Sequence, residues 1–266
     1  MTREPTYRRV VVALDSSRDS RAALDASAGL AASLGAELTG LFIEDVNQLR
    51  WAALPFTRLV GPDAMSRDID MDTVERSMRR AASEARSALA RLTAARGDQV
   101  RWSFRVVRGA VAHELGAAAE PADIVVVEER ALGRAARAAL ASAQVSVLCL
   151  CAGAASSNEV VVVYGESDRD NRALNAAVRI ARATDRTLTA LITDADQEAK
   201  LADMVDADDV AVQPVRTSDR ARGFAQAVAR RPGAIVVWSG ADDEQDTQHA
   251  LEPLLESGRY SVLVVR

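Results

Sequence analysis

The feature that most constrains this chain is that it repeats itself. At an offset of 150 residues, Leu24 falls on Leu174, Leu30 on Ile180, Leu38 on Leu188, Thr39 on Thr189 and Leu41 on Leu191. The match carries a helix and the following strand in register, so it marks a tandem duplication rather than one shared motif. The stretch "CAGAASSN" (151–158) is small and polar, as a linker should be. The expectation is two domains, 1–152 and 153–266, with the second more divergent. A chain of 266 residues suits two domains of about 130 each, and either half is long enough to bury a core.

Strand and helix signals alternate along both halves. In the first, "RRVVVALD" (8–15) is a short aliphatic run and reads as a buried strand. The next segment puts Ala23, Leu24, Ser27, Leu30, Ala31 and Leu34 on one helical stripe, and Gly35 stops it. "AELTGLFI" (36–43) is a second strand, and a long helix covers roughly 72–96. "QVRWSFRVV" (99–107) alternates as a strand with one wetter face; a short helix, the buried strand "ADIVVVE" (122–128), another helix and "QVSVLCL" (144–150) complete the series. The second half repeats the order from "EVVVVY" (159–164) and "RTLTALIT" (186–193) to the final "YSVLVVR" (260–266). Such alternation predicts an α/β fold of two tandem doubly wound domains, each a parallel sheet flanked by helices. Ligands of such sheets bind at the carboxyl ends of the strands, where the strand order reverses. If strand one is central, that end is Asp15.

Composition narrows the function. The formal charge is −5 with both signs interspersed, which disfavours nucleic acid or an anionic membrane as partner. No apolar stretch is long enough to span a bilayer. "MTREPTYRR" has no signal-peptide core, so the cytoplasm is the expected location. Aromatic residues are scarce while Ala and Val abound, which suits helices packed closely on a sheet.

The stretch "VVVALDSSRDSRAALDASAGLAASLGAELTGLFIED" (10–45) resembles the start of a universal stress protein domain. The likeness lies in the Asp after strand one, the Ser-containing turn, the Ala-rich helix, Gly-Ala, and a second strand with an acidic end. It implies five strands per domain and domains paired through their last strands, here Val145–Leu150 and Ser261–Val265. Left as open edges, those aliphatic strands would invite aggregation. The reading leaves open whether whole chains also form a homodimer. Nucleotide-binding members of that family hold ATP with the Asp after strand one and with a glycine-rich stretch after strand four. Asp15, Ser16 and Ser17 fit the first part. The second part is missing. Glu128 stands at its first glycine, Glu129 adds a carboxylate, and Gly133 is the one glycine of the segment. Two carboxylates beside a triphosphate repel it. In the second half Gly165 replaces the Asp and Trp238 takes the glycine position, so a ring is expected to fill that cleft.

Other constellations are weak. Lys200 has no glycines around it, and "LDSSRDS" has none either, so neither phosphate loop nor dinucleotide fingerprint is present. His113 and His249 are isolated, and metal sites need clustered ligands. Cys149 and Cys151 share one strand face and read as buried thiols, with redox sensing as the alternative. The segment Glu44–Asp68 carries Leu49, Trp51, Leu54, Phe56 and Leu59. It reads as a short helix over the sheet edge or as a lid or contact segment. The carboxylate run 194–209 lacks the pattern of a calcium loop and reads as a solvated face.

The functional expectation is a non-enzymatic stress-response or regulatory protein with no catalytic residues, metal or cofactor. It acts through protein contacts or a small ligand. The alternatives are ATP or AMP binding in the first domain through Asp15, Ser16 and Ser17, and a nucleotide hydrolase on the same scaffold.

Overall fold

The computed structural model describes residues 7–14, 20–54, 58–60, 66–68, 71–96, 100–119, 123–128, 145–150, 157–165, 167–205, 211–217, 222–239 and 259–265. The first half runs β1 (Arg9–Leu14), α1 (Ser20–Leu34), β2 (Glu37–Asp45), α2 (Val46–Ala52), β3 (Arg58–Val60), β4 (Ser66–Asp68), α3 (Met71–Ala94), β5 (Trp102–Gly109), α4 (Val111–Ala119), β6 (Ile124–Glu128) and β7 (Ser146–Leu150). The second runs β8 (Glu159–Val163), α5 (Asp168–Thr184), β9 (Thr187–Ile192), α6 (Ala195–Met204), β10 (Val212–Arg216), α7 (Arg222–Ala229), β11 (Ile235–Ser239) and β12 (Ser261–Val265). The helix segments expected near 130–142 and 246–256, and the linker residues 151–156, lie outside the described residues.

Ten strands form one sheet in the order β10-β9-β8-β11-β12-β7-β6-β1-β2-β5. Within each half every pairing of this sheet is parallel. The halves meet where β12 pairs antiparallel with β7, matching Val262 to Cys149, Leu263 to Leu148 and Val264 to Val147. Both halves therefore place their strands as third, second, first, fourth, fifth. The outer edges are poor templates for further pairing: β5 carries exposed Arg105 and Arg108, and β10 carries Pro214.

The alternation of side chains splits the core by face. On one face Val10, Val12, Leu38, Phe42, Val160 and Val162 pack under α1, α3 and α5 as a single cluster spanning both halves. Here α1 and α5 lie directly against each other. The stripe expected on α1 is buried at Ala23, Leu24, Ser27, Leu30 and Ala31, with Leu34 half-buried. The opposite face has separate clusters, one around α4 with Leu115, the other around α7 with Phe224 and Val228.

Local chemistry ends α1 and α5 alike. Gly35 adopts φ 62°, and the Ala36 amide donates to the Ala31 carbonyl at 2.9 Å. One repeat later Asp185 adopts φ 51°, and the Arg186 amide donates to the Ala181 carbonyl at 2.9 Å. Both are left-handed helix terminators with the same returning hydrogen bond.

Two elements differ from the sequence reading. β2 continues two residues further, through Glu44 and Asp45. The segment after it holds the expected short helix, α2, with Leu49 and Ala52 buried, but also the antiparallel hairpin β3–β4. Trp51 is 66% exposed, at the end of α2.

Candidate functional site

The strand order creates two switch points, between β1 and β6 and between β8 and β11. In sheets of this kind the carboxyl end of each such pair is where a ligand crevice forms. Asp15, Ser16, Ser17 and Glu129 lie outside the described residues. What the structure describes of the first crevice is its acidic surround.

Glu128 ends β6 and is 5% exposed, although β6 is otherwise wholly aliphatic. Its register partner on β7 is Leu150. Beyond β1, the end of β2 supplies buried Glu44 and then Asp45. The Asp45 Oδ1 caps α2, accepting from the Asn47 amide and side-chain nitrogen at 3.0 Å each. Arg108, at the end of β5, donates from Nε to Glu44 Oε2 at 2.9 Å and from a terminal nitrogen to Glu75 Oε1 of α3 at 3.1 Å. Glu75 in turn accepts from Arg79 at 2.9 Å. The hydrogen bond and charge of Glu44, with Glu75 adding to them, raise the Arg108 pKa above its ordinary value. Arg108 thus ties β2, β5 and α3 together.

The second crevice is described along β8, the start of α5 and β11, while Glu166 and residues 240–258 lie outside the described residues. After β8 the chain passes through buried Tyr164 and Gly165, the position that Asp15 holds one repeat earlier. Ser167 caps α5 and forms a capping box with Asp170: the Asp170 amide donates to Ser167 Oγ at 3.2 Å, and the Ser167 amide donates to Asp170 Oδ2 at 3.1 Å. Ser167 Oγ also bonds Asp170 Oδ2 at 2.8 Å. From the far side, Ser239 Oγ at the end of β11 donates a short hydrogen bond to Asp170 Oδ1. Asp170 is 1% exposed and Ser239 is 4% exposed. Trp238 points to the other face, with its ring centroid 4.5 Å from that of Phe224 at an interplanar angle of 69°. Asp170, rather than the expected ring, is the side chain bridging this crevice.

Ser239 and Glu128 occupy the same place, each the fifth and last residue of its half's fourth strand. Among the described residues, the first crevice has buried Glu128 on its strand and the second has buried Asp170 on its helix. The sequence reading found Glu128 but missed Asp170, Ser167 and Ser239. "SDRD" (167–170) carries a capping-box spacing that could have flagged the first two.

Of the remaining candidates, His249 and Cys151 lie outside the described residues. His113 is exposed on α4, Cys149 is buried in β7, and Asp194 caps α6 by accepting from the Gln197 amide at 2.9 Å. Among the described residues no cluster of three His, Cys, Asp or Glu is placed to hold a metal ion. Among the same residues no helix is long and apolar enough to cross a membrane.

Residues 6–151 match the family model described as the universal stress protein family. A search of curated proteins finds no match. Among solved structures, the chain is similar to a universal stress protein from Archaeoglobus fulgidus DSM 4304, at 17% identity over 97% of this chain and 96% of that one, with a TM-score of 0.66. It is also similar to a functionally unknown protein from Pseudomonas aeruginosa PAO1, at 12% identity over 97% and 92%, with a TM-score of 0.55. A third is the cytoplasmic domain of a prokaryotic cation chloride cotransporter, at 10% identity over 97% and 95%, with a TM-score of 0.53. At these identities the likeness is one of fold.

Proposed function

The chain belongs to the universal stress protein family, and we propose that it serves the stress response without gripping ATP by its phosphates. Family membership supports the stress-response role. The finer reading is a non-enzymatic protein of two domains, 1–152 and 153–266, that acts through protein contacts or through a small ligand lacking a polyphosphate.

The observation that supports this reading is the buried carboxylate in each crevice, Glu128 and Asp170. A phosphate grip needs backbone N–H groups that approach closely and a helix N-terminus aimed at the anion. At an effective dielectric of about 20, two like unit charges about 4 Å apart repel by about 4 kcal/mol. That is about three decades of affinity per phosphate charge so placed. The rim arginine, Arg108, is already bonded to Glu44 and Glu75.

Calorimetric titration of ATP, and separately of adenosine, into the full chain tests the reading, with Asp15→Ala as control. No saturable ATP binding is expected. Saturable micromolar ATP binding that disappears in Asp15→Ala would replace it with nucleotide binding in the first half through Asp15, Ser16 and Ser17. Release of phosphate from ATP would replace it with a hydrolase.

A further inference from the structure

We infer that an internal anion occupies the second switch point: the Asp170 carboxylate takes hydrogen-bond donors that a bound anion would take there.

The argument rests on what Asp170 does beyond capping. A capping box is complete with Ser167 and Asp170 alone, and both belong to the first turn of α5. Ser239 adds nothing to that cap. It lies 69 residues further on, at the end of β11, and reaches Asp170 from across the switch point. The carboxylate therefore ties the helix leaving β8 to the strand beside β8. Its donors include a helix-start amide and two serine hydroxyls, groups suited to a small oxyanion. Tyr164 and Gly165 are buried beside it, and the Tyr164 hydroxyl lies 3.3 Å from Met204 Sδ and 3.5 Å from Asn171 Oδ1. A ligand entering here would have to displace a buried, hydrogen-bonded carboxylate, and no gain from one small molecule's polar contacts offsets that easily.

The same pair of residues does not recur in the sequence of the first half. The position of Ser239 is held by Glu128, and the 150-residue offset puts Ser20 at the position of Asp170. The Asp–Ser pair is thus particular to the second half of the sequence.

Two variants of the full chain test the inference. Ser239→Ala leaves the capping box whole and removes only the tie. It is expected to lower the melting temperature by about 3–8 °C and to speed amide exchange roughly tenfold in both 167–171 and 235–239. Unchanged exchange in those segments would show that the contact ties nothing. Asp170→Ala empties the anion position, so sodium formate should raise its melting temperature above that in equal sodium chloride, while wild type responds to the two salts alike. Equal response of Asp170→Ala to formate and chloride overturns the inference, as does a wild-type chain stabilised by inorganic phosphate in a way that Ser239→Ala abolishes. If Asp170→Ala does not fold, the exchange measurement on Ser239→Ala decides alone.

Discussion

Asp185 stands one repeat after Gly35, and the backbone is left-handed at both, with φ 51° and 62°. Glycine accepts that conformation freely, whereas an L side chain is disfavoured there by about 1–2 kcal/mol, somewhat less for Asp. The same helix terminator is therefore built from a suited residue in one half and a tolerated one in the other. Asp185→Gly is expected to stabilise the chain by about 0.5–1 kcal/mol, raising the melting temperature by roughly 1–4 °C. Gly35→Ala should cost about 1–2 kcal/mol. No atom lies within 4 Å of the added Cβ, so the backbone alone sets that cost. Paired thermal melts check both signs.

Gly40 is required for a different reason. It lies directly opposite Phe104 in the β2–β5 register. A Cβ on it would fall 2.8 Å from Phe104 Cδ2 and 3.0 Å from Leu89 Cδ2. Gly40→Ala should destabilise by about 1–3 kcal/mol through overpacking. Adding Phe104→Leu should recover part of the loss in chemical denaturation. No recovery would place the strain elsewhere.

Tyr7 supplies an alkaline limit. It is buried in the shared core cluster, and burial raises its pKa above 10.0, with Arg179 and Arg172 opposing the rise. Below pH 10 the folded and unfolded chains both keep the phenol protonated, and the group adds no pH dependence. Above pH 10 the unfolded chain releases the proton first, so folding stability falls as pH rises toward the folded-state value. The urea midpoint should drop between pH 9 and pH 11, and Tyr7→Phe should flatten part of that drop.

The pairing of Arg108 with Glu44 should be asymmetric under substitution. Arg108→Leu leaves buried Glu44 without the cation that bonds it at 2.9 Å and should lower the melting temperature. Glu44→Gln in the same chain should restore part of it, because a neutral amide needs no counter-charge. A double-mutant cycle in which the two effects simply add would remove the pair as the link between β2 and β5.

Much of the architecture could be read from short-range pattern. Runs such as Val10–Val12 and Val160–Val163 can only be buried strands, and the spacing of Leu24, Leu30 and Ala31 fits only a helix face. The β3–β4 hairpin left no such trace, since three-residue strands are too short to show alternation. The contact of Asp170 with Ser239 was invisible for a related reason. Each residue has an ordinary local explanation, as a cap and as a strand end, and only the sheet order brings the two together.

The peptide chain runs on from β7 to β8, so the two halves that pair through β7 and β12 are one covalent object. Two identical chains meeting on a twofold axis would carry every substitution twice, so a carboxylate placed in one crevice would be placed in both, at the same atom. A single chain escapes that rule. Here the acid sits on a strand at Glu128 and on a helix at Asp170, a pairing that no symmetric assembly of identical subunits can hold. Joining the halves end to end therefore lets each crevice be altered on its own.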